Sequence, residues 1–193
     1  MLYTTVDSPI GELLLLGDGH ALHGMWMLDA RAPAVARPGW ERASGPFEDA
    51  RAQLAEYFAG RRLAFDLPLA MAGTPFQRRV WRALLDIPYG ETTTYGELAR
   101  TVNPAGGWQA ARAVGAANGR NPIAVVVPCH RVVGADSTPK KGAHDRHDRP
   151  DRLQGSRGLG HARPSLTGYG GGLERKRLLL DLEAATLARR AAS

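Results

Sequence analysis

The period of the hydrophobic positions changes several times along the chain, and each change marks an element. Leu2-Tyr3-Thr4-Thr5-Val6 and Glu12-Leu13-Leu14-Leu15-Leu16 are short β-prone runs separated by Ser8-Pro9-Ile10-Gly11, so they read as a hairpin. Residues 21–28 predict a third strand after Gly17-Asp18-Gly19, and residues 31–46, rich in Pro, Ala and Arg, predict a loop. Ala50, Leu54, Tyr57 and Phe58 then fall at i, i+4, i+7 and i+8, one stripe of a helix that Gly60 stops. A short strand is expected over residues 61–69. No chemistry is visible in this small α+β unit.

Helical periods dominate afterwards. Thr74-Pro75-Phe76-Gln77 is a helix start, with Thr74 as N-cap, Pro75 in the first turn and Gln77 completing a capping box. Phe76, Val80, Trp81, Leu84 and Leu85 give that helix its expected buried face. Thr94-Tyr95-Gly96-Glu97 is a second capping box, opening a helix to about Val102. Asn103-Pro104-Ala105-Gly106-Gly107 interrupts it, and residues 109–117 form a short alanine-rich helix stopped by Asn118-Gly119. Helix, glycine-containing turn, helix fits a helix-turn-helix, and equally two packed core helices. The second helix favours the former: Ala111, Ala113, Gly115 and their neighbours leave a smooth surface from which only Arg112 projects. A last helix is expected over residues 173–189, with Leu173, Leu180, Ala184 and Leu187 as its apolar stripe and Glu183 on the flank, where a carboxylate needs a partner.

Between these helices lies the stretch with chemical character. Ile123-Ala124-Val125-Val126-Val127 reads as a buried strand or extended segment, Pro128 ends its pairing, and Cys129, the single cysteine, follows directly. A lone cysteine is commonly a small buried hydrophobe. Here His130 and Arg131 stand beside it, and a titratable ring and a cation both lower the cost of a thiolate. Residues 136–165 carry Lys140, Lys141, Arg146, Arg149, Arg152, Arg157 and Arg163 and almost no large apolar side chains, so they are expected to form a flexible basic insertion or an auxiliary phosphate-contacting loop. His144 and His147 have a metal-like spacing, but no supporting ligands are apparent, and no metal site is assigned.

Composition narrows the class. The chain has 193 residues, enough for one large domain or two small ones, and a formal net charge of +6. A sequence pI near 10.0 points to a polyanionic partner. One cysteine excludes an intrachain disulfide framework and a cysteine-rich zinc site. Neither a signal peptide nor a membrane-spanning run is visible, and a free thiol suits the reducing cytoplasm.

Pro128-Cys129-His130-Arg131-Val132 resembles the active-site motif of the methylated-DNA–protein-cysteine methyltransferases, or O6-alkylguanine-DNA alkyltransferases. The resemblance runs through residues 73–133, resumes at 166–183, and is met again in Thr5-Val6-Asp7-Ser8-Pro9-Ile10-Gly11, similar to the family's N-terminal hairpin. It implies an α+β fold with a small strand-rich, ribonuclease H-like domain over residues 1–70 and a mainly helical domain over residues 71–193 that carries the helix-turn-helix and the cysteine. It implies irreversible transfer of an alkyl group from O6 of a guanine flipped out of duplex DNA, or from O4 of an alkylated thymine, to Cys129, once per molecule. His130 would be the base, acting through a water; Glu183 would orient it, and Asn121 would brace the turn. Tyr95 would crowd the target phosphate and hydrogen-bond the extruded base. Arg112 would fill the stack from the minor groove, with Ala111, Ala113, Gly115 and Arg131 also at the DNA, and Tyr169, Gly170 and Pro128 would shape the pocket and its lid. No cofactor is implied, and the protein is expected to act as a monomer on double-stranded DNA. The turn Gly106-Gly107-Trp108 and the insertion at 136–165 depart from the family pattern. A cysteine hydrolase is the first alternative, though such enzymes bring their base from a distant part of the chain. A binding-only protein on the same fold is the second, and the presence of Cys129 speaks against it.

Overall fold

A computed structural model describes residues 1–28, 38–135 and 169–192. The basic insertion, with the histidine pair inside it, lies outside the described residues.

The N-terminal half is a four-stranded sheet with one helix. Strands β1 (Leu2–Val6), β2 (Leu13–Gly17), β3 (Leu22–Met27) and β4 (Glu41–Arg42) lie in the order β3-β2-β1-β4. β1 and β3 flank β2 antiparallel, and β4 pairs parallel with β1. Leu13, Leu15 and Met25 are completely buried. Helix α1 (Glu48–Phe58) lays Ala50, Leu54 and Tyr57 into the same core and ends before Gly60, whose φ of +70° suits a residue without Cβ.

The strand expected over residues 61–69 does not form. This segment makes one bridge, Leu22 to Leu69, with hydrogen bonds from Leu22 N to Pro68 O and from Ala70 N to Leu22 O. Pro68 has no N–H to extend a ladder.

The C-terminal half is helical. Both capping boxes form: Gln77 N donates to Thr74 Oγ1 at the start of α2 (Pro75–Leu85), and Glu97 N to Thr94 Oγ1 at the start of α3 (Tyr95–Val102). Val80, Trp81 and Leu84 form the buried face of α2; Leu85, expected there, is 42% exposed. A 3-10 turn, Pro104–Gln109, links α3 to α4 (Ala110–Asn118), and Trp81 Nε1 ties α2 to α4 through Ala117 O at 2.9 Å. Helix α5 (Leu173–Ala191) closes the structure.

Two short links position the turn that carries Cys129. β5 (Thr93–Thr94) pairs parallel with β6 (Val132–Val133), so the chain just after the cysteine is fixed to the start of α3. On the other side Met25 N donates to Pro122 O and Ala124 N to Met25 O, joining the edge of the N-terminal sheet to the residues just before it.

Candidate active site

The segment 123–127 is buried as expected, apart from the half-buried Ala124, but it is a series of tight turns rather than a strand. Val127 N donates to Ile123 O, Val126 N to Ala124 O, and Cys129 N to Val127 O. Val125 has a φ of +69°, a left-handed conformation that a β-branched residue adopts only when its surroundings impose it. Cys129, His130 and Arg131 form one 3-10 turn, so their side chains fan out in three directions instead of alternating across a strand.

Cys129 is 5% exposed. Asn121 Nδ2 donates to its Sγ at 3.0 Å and to Val127 O at 2.8 Å, while Asn121 Oδ1 accepts from Ile123 N at 3.0 Å. Asn118 Nδ2 reaches Cys129 O at 3.4 Å. Burial pushes the thiol pKa up, and the Asn121 bond and the positive charge of Lys176 offset part of that rise. Burial thus works against the thiolate whose cost the neighbouring His130 and Arg131 were expected to lower.

His130 and Glu183 are fully buried. Glu183 Oε1 faces His130 Nε2 at 2.9 Å, Arg131 Nη2 at 2.9 Å and the Tyr57 hydroxyl at 2.6 Å; Oε2 accepts from Arg131 Nε at 3.0 Å and from Gly90 N at 2.9 Å. Burial alone would raise the carboxyl pKa, but the donors from His130 and Arg131 outweigh it and hold it at about 2. Burial also pushes the His130 pKa down, only partly offset by Glu183, so the ring is neutral. Facing a carboxylate, Nε2 must carry the proton, which leaves Nδ1 as the acceptor. Nδ1 is buried and has no protein partner among the described residues.

Arg131 is not at a DNA-facing surface. It is 7% exposed, paired with Glu183, and its Nη1 donates to Ile87 O at 2.7 Å. A guanidinium this deep requires an anion, and the Glu183 carboxylate supplies it. This neutralisation also removes Arg131 as a stabiliser of a Cys129 thiolate. Lys176, completely buried on α5 with Nζ donating to Val132 O at 2.6 Å, is the cation whose field does reach the thiol.

The buried face of α5 is polar. Lys176, Glu183 and Thr186 are inward with Leu179, whereas Leu173 and Leu187 of the expected apolar stripe are 47% and 37% exposed and Ala184 is exposed. Hydrophobic periodicity misses this helix's orientation because the cysteine turn it packs against presents buried polar groups.

Two hollows meet at the surface. One, of about 270 Å³, is lined by Cys129, Asn121, Tyr169, Gly170, Trp26 and Met27 among others. The second, of about 560 Å³, lies along α4 and is lined by Tyr95, Ala111, Arg112, Gly115, Gly119, Tyr169 and Gly170. Gly119, Tyr169 and Gly170 border both. Arg112 and Ala113 are exposed on α4. The Tyr169 hydroxyl is buried without a protein partner among the described residues. Pro128 lines neither hollow; it faces a cleft with Leu85, Ile87, Val126 and Arg131 on the other side of the turn. No group of three or more potential metal ligands occurs among the described residues.

Comparison with known proteins decides the family. Residues 1–71 match the model of the 6-O-methylguanine DNA methyltransferase ribonuclease-like domain, and residues 75–154 match that of its DNA binding domain. A methylated-DNA–protein-cysteine methyltransferase of Mycobacterium bovis is 46% identical over 181 residues, 94% of this chain and 91% of that protein. The chain belongs to the 6-O-methylguanine DNA methyltransferase family. A relative of the same name from Methanosarcina acetivorans is 41% identical over 95% of this chain and 98% of its own length. Among solved structures, the Mycobacterium tuberculosis OGT in complex with DNA superposes with a TM-score of 0.75 at 45% identity, covering 96% of this chain and 94% of that one. The two-domain methyltransferase fold read from the sequence is therefore the fold found. Sequence reasoning missed Tyr57, Gly90 and Lys176 in this methyltransferase site: the first two carry no local signal, and Lys176 sits in a run of charges on α5 that reads as a solvated face.

Proposed function

We propose that this family member repairs DNA by moving an alkyl group from O6 of guanine to Sγ of Cys129. The observation that supports the reading is that Cys129 lines one hollow and the next residue, His130, is a buried neutral imidazole held by Glu183 through Nε2, with Nδ1 left as the acceptor. Sγ attacks the alkyl carbon in line with the C–O6 bond; the S–C bond forms, the C–O6 bond breaks, and its electron pair leaves with the guanine. The thiol proton goes to His130 Nδ1 through a bridging water, and Glu183 stabilises the imidazolium that results. The product is a thioether, which neutral water does not cleave, so each molecule reacts once. The alkyl donor is the DNA itself, and the step calls for no cofactor. Displacement at O4 of an alkylated thymine follows the same chemistry.

A base within a duplex is out of reach of a recessed thiol, so the target nucleotide is flipped out. The exposed Arg112 on smooth α4 fills the vacated stack from the minor groove, while Tyr95, Ala111, Ala113 and Gly115 lie along the backbone. Tyr95 and the buried hydroxyl of Tyr169 would hydrogen-bond the extruded base, with Gly170 letting it approach closely. A helical alkyl-acceptor unit over residues 71–193 would thus be carried on a scaffold of residues 1–70. The basic segment 136–165 adds salt-dependent affinity. No helix among the described residues is long and apolar enough to cross a membrane, and a free thiol nucleophile fits a reducing cytoplasm.

Incubation with a duplex carrying one O6-methylguanine, followed by intact and peptide mass analysis, tests this. One added methyl, mapped to Cys129 and saturating at one per protein, is expected, and Cys129→Ser should abolish it. Binding of the duplex without any adduct would overturn alkyl transfer and leave a damage-binding protein.

A further inference from the structure

The strand-rich half shows no chemistry in its sequence, yet it sends one side chain into the catalytic network. Tyr57 is completely buried on α1, and its hydroxyl donates to Glu183 Oε1 at 2.6 Å across 126 residues of sequence. A buried tyrosine hydroxyl needs some acceptor, and a backbone carbonyl would serve. The acceptor here is the same carboxylate oxygen that faces His130 Nε2.

Aromatic packing surrounds the ring that carries this hydroxyl. The Tyr57 ring lies between Phe58, Phe65 and Tyr89, with centroid separations of 5.3, 5.2 and 5.8 Å. Gly90 N and Arg131 Nε hold the second carboxylate oxygen, so Glu183 is gripped from α1, from the turn after α2 and from the cysteine turn.

We infer that Tyr57 is a positioning residue for alkyl transfer, its hydroxyl fixing the carboxylate oxygen that orients the His130 imidazole. The inference rests on Cys129 being the alkyl acceptor and His130 its base. Tyr57 moves no proton: burial and the adjacent carboxylate keep its hydroxyl protonated. It acts as a steady donor that draws charge from Oε1 and moderates the pull of Glu183 on the ring. The other titratable or charged groups around Glu183 are Tyr89 after α2, His130 and Arg131 on the cysteine turn, and, near His130 on α5, Lys176; Arg189 acts on Tyr89.

The test is the pH dependence of the single-turnover transfer rate from an O6-methylguanine duplex. Tyr57→Phe keeps the ring and deletes the donor. Glu183 then pulls harder on His130, the ring becomes more basic, and the acid limb should move up by about half a unit to one unit, slowing transfer about 3- to 10-fold below its midpoint. Tyr57→3-fluorotyrosine, a stronger donor of nearly the same shape, should move the limb the opposite way. Leu54→Ala, which removes packing on the same helix face, should lower the unfolding midpoint and leave the limb in place. Coincident limbs for the wild type and both Tyr57 variants would overturn the inference. Absence of any Cys129 adduct in the wild type would instead overturn the underlying alkyl-transfer reading.

Discussion

Asn121 shows how much of this site rests on single side chains. Its one amide group braces Ile123 N, Val127 O and Cys129 Sγ at once, so it shapes the turn and stabilises negative charge on the sulfur it helps to present. Asn121→Ala leaves a buried thiol without its closest donor. The thiol pKa should rise further, and alkylation of Cys129 by a small haloalkane, followed by mass spectrometry across pH, should require more alkaline solution. The same change strips partners from two backbone groups and should cost about 1–3 kcal/mol in urea unfolding. The resemblance named Cys129, His130, Asn121 and Glu183 from the sequence, and the structure pairs Asn121 with Cys129 and Glu183 with His130. The direction of Arg131 could not. A cation beside a cysteine reads the same whether it points to solvent or to a carboxylate 52 residues away.

At the scale of elements, local signals succeeded where the chemistry is local. Both capping boxes form as read, because a threonine oxygen and an N3 side chain satisfy orphan N–H groups whatever the rest of the fold does. Thr94→Ala should cost about 1 kcal/mol of stability by chemical denaturation, as is usual for a lost N-cap. It should also loosen the first turn of α3, which carries Tyr95. Elements that depend on partners were less legible. Residues 61–69 lack the neighbours for a strand, residues 123–127 are bent by a strained Val125, and α5 faces inward with Lys176, Glu183 and Thr186. Periodicity registers apolar burial only, so it reverses a helix whose interior face is ionic.

For the whole molecule, Glu183 is a junction between the two halves, and acid should separate them. Its carboxyl pKa is about 2 in the folded protein against 4.5 ordinarily. A folded value below the unfolded one means stability that is complete above about 4.5 and lost as the pH falls through about 2, roughly 3 kcal/mol in all. His130, also depressed, adds loss in the same direction below its ordinary 6.5. Urea midpoints measured from pH 7 down to 2 should therefore fall most steeply at the acid end. Glu183→Gln should flatten that slope while lowering the neutral-pH midpoint, since Arg131 then lacks its buried counter-charge. By itself the sequence determined the helix starts, the N-terminal hairpin, the excess of positive charge, the motif around the single cysteine and the family, because capping, alternation and a contiguous motif are encoded within a few residues. Only the tertiary structure decided that burial pushes the Cys129 thiol pKa up, that Arg131 turns inward, and that Tyr57 and Lys176 reach the site. Desolvation and the pairing of buried charge depend on which distant residues share a volume from which water is excluded.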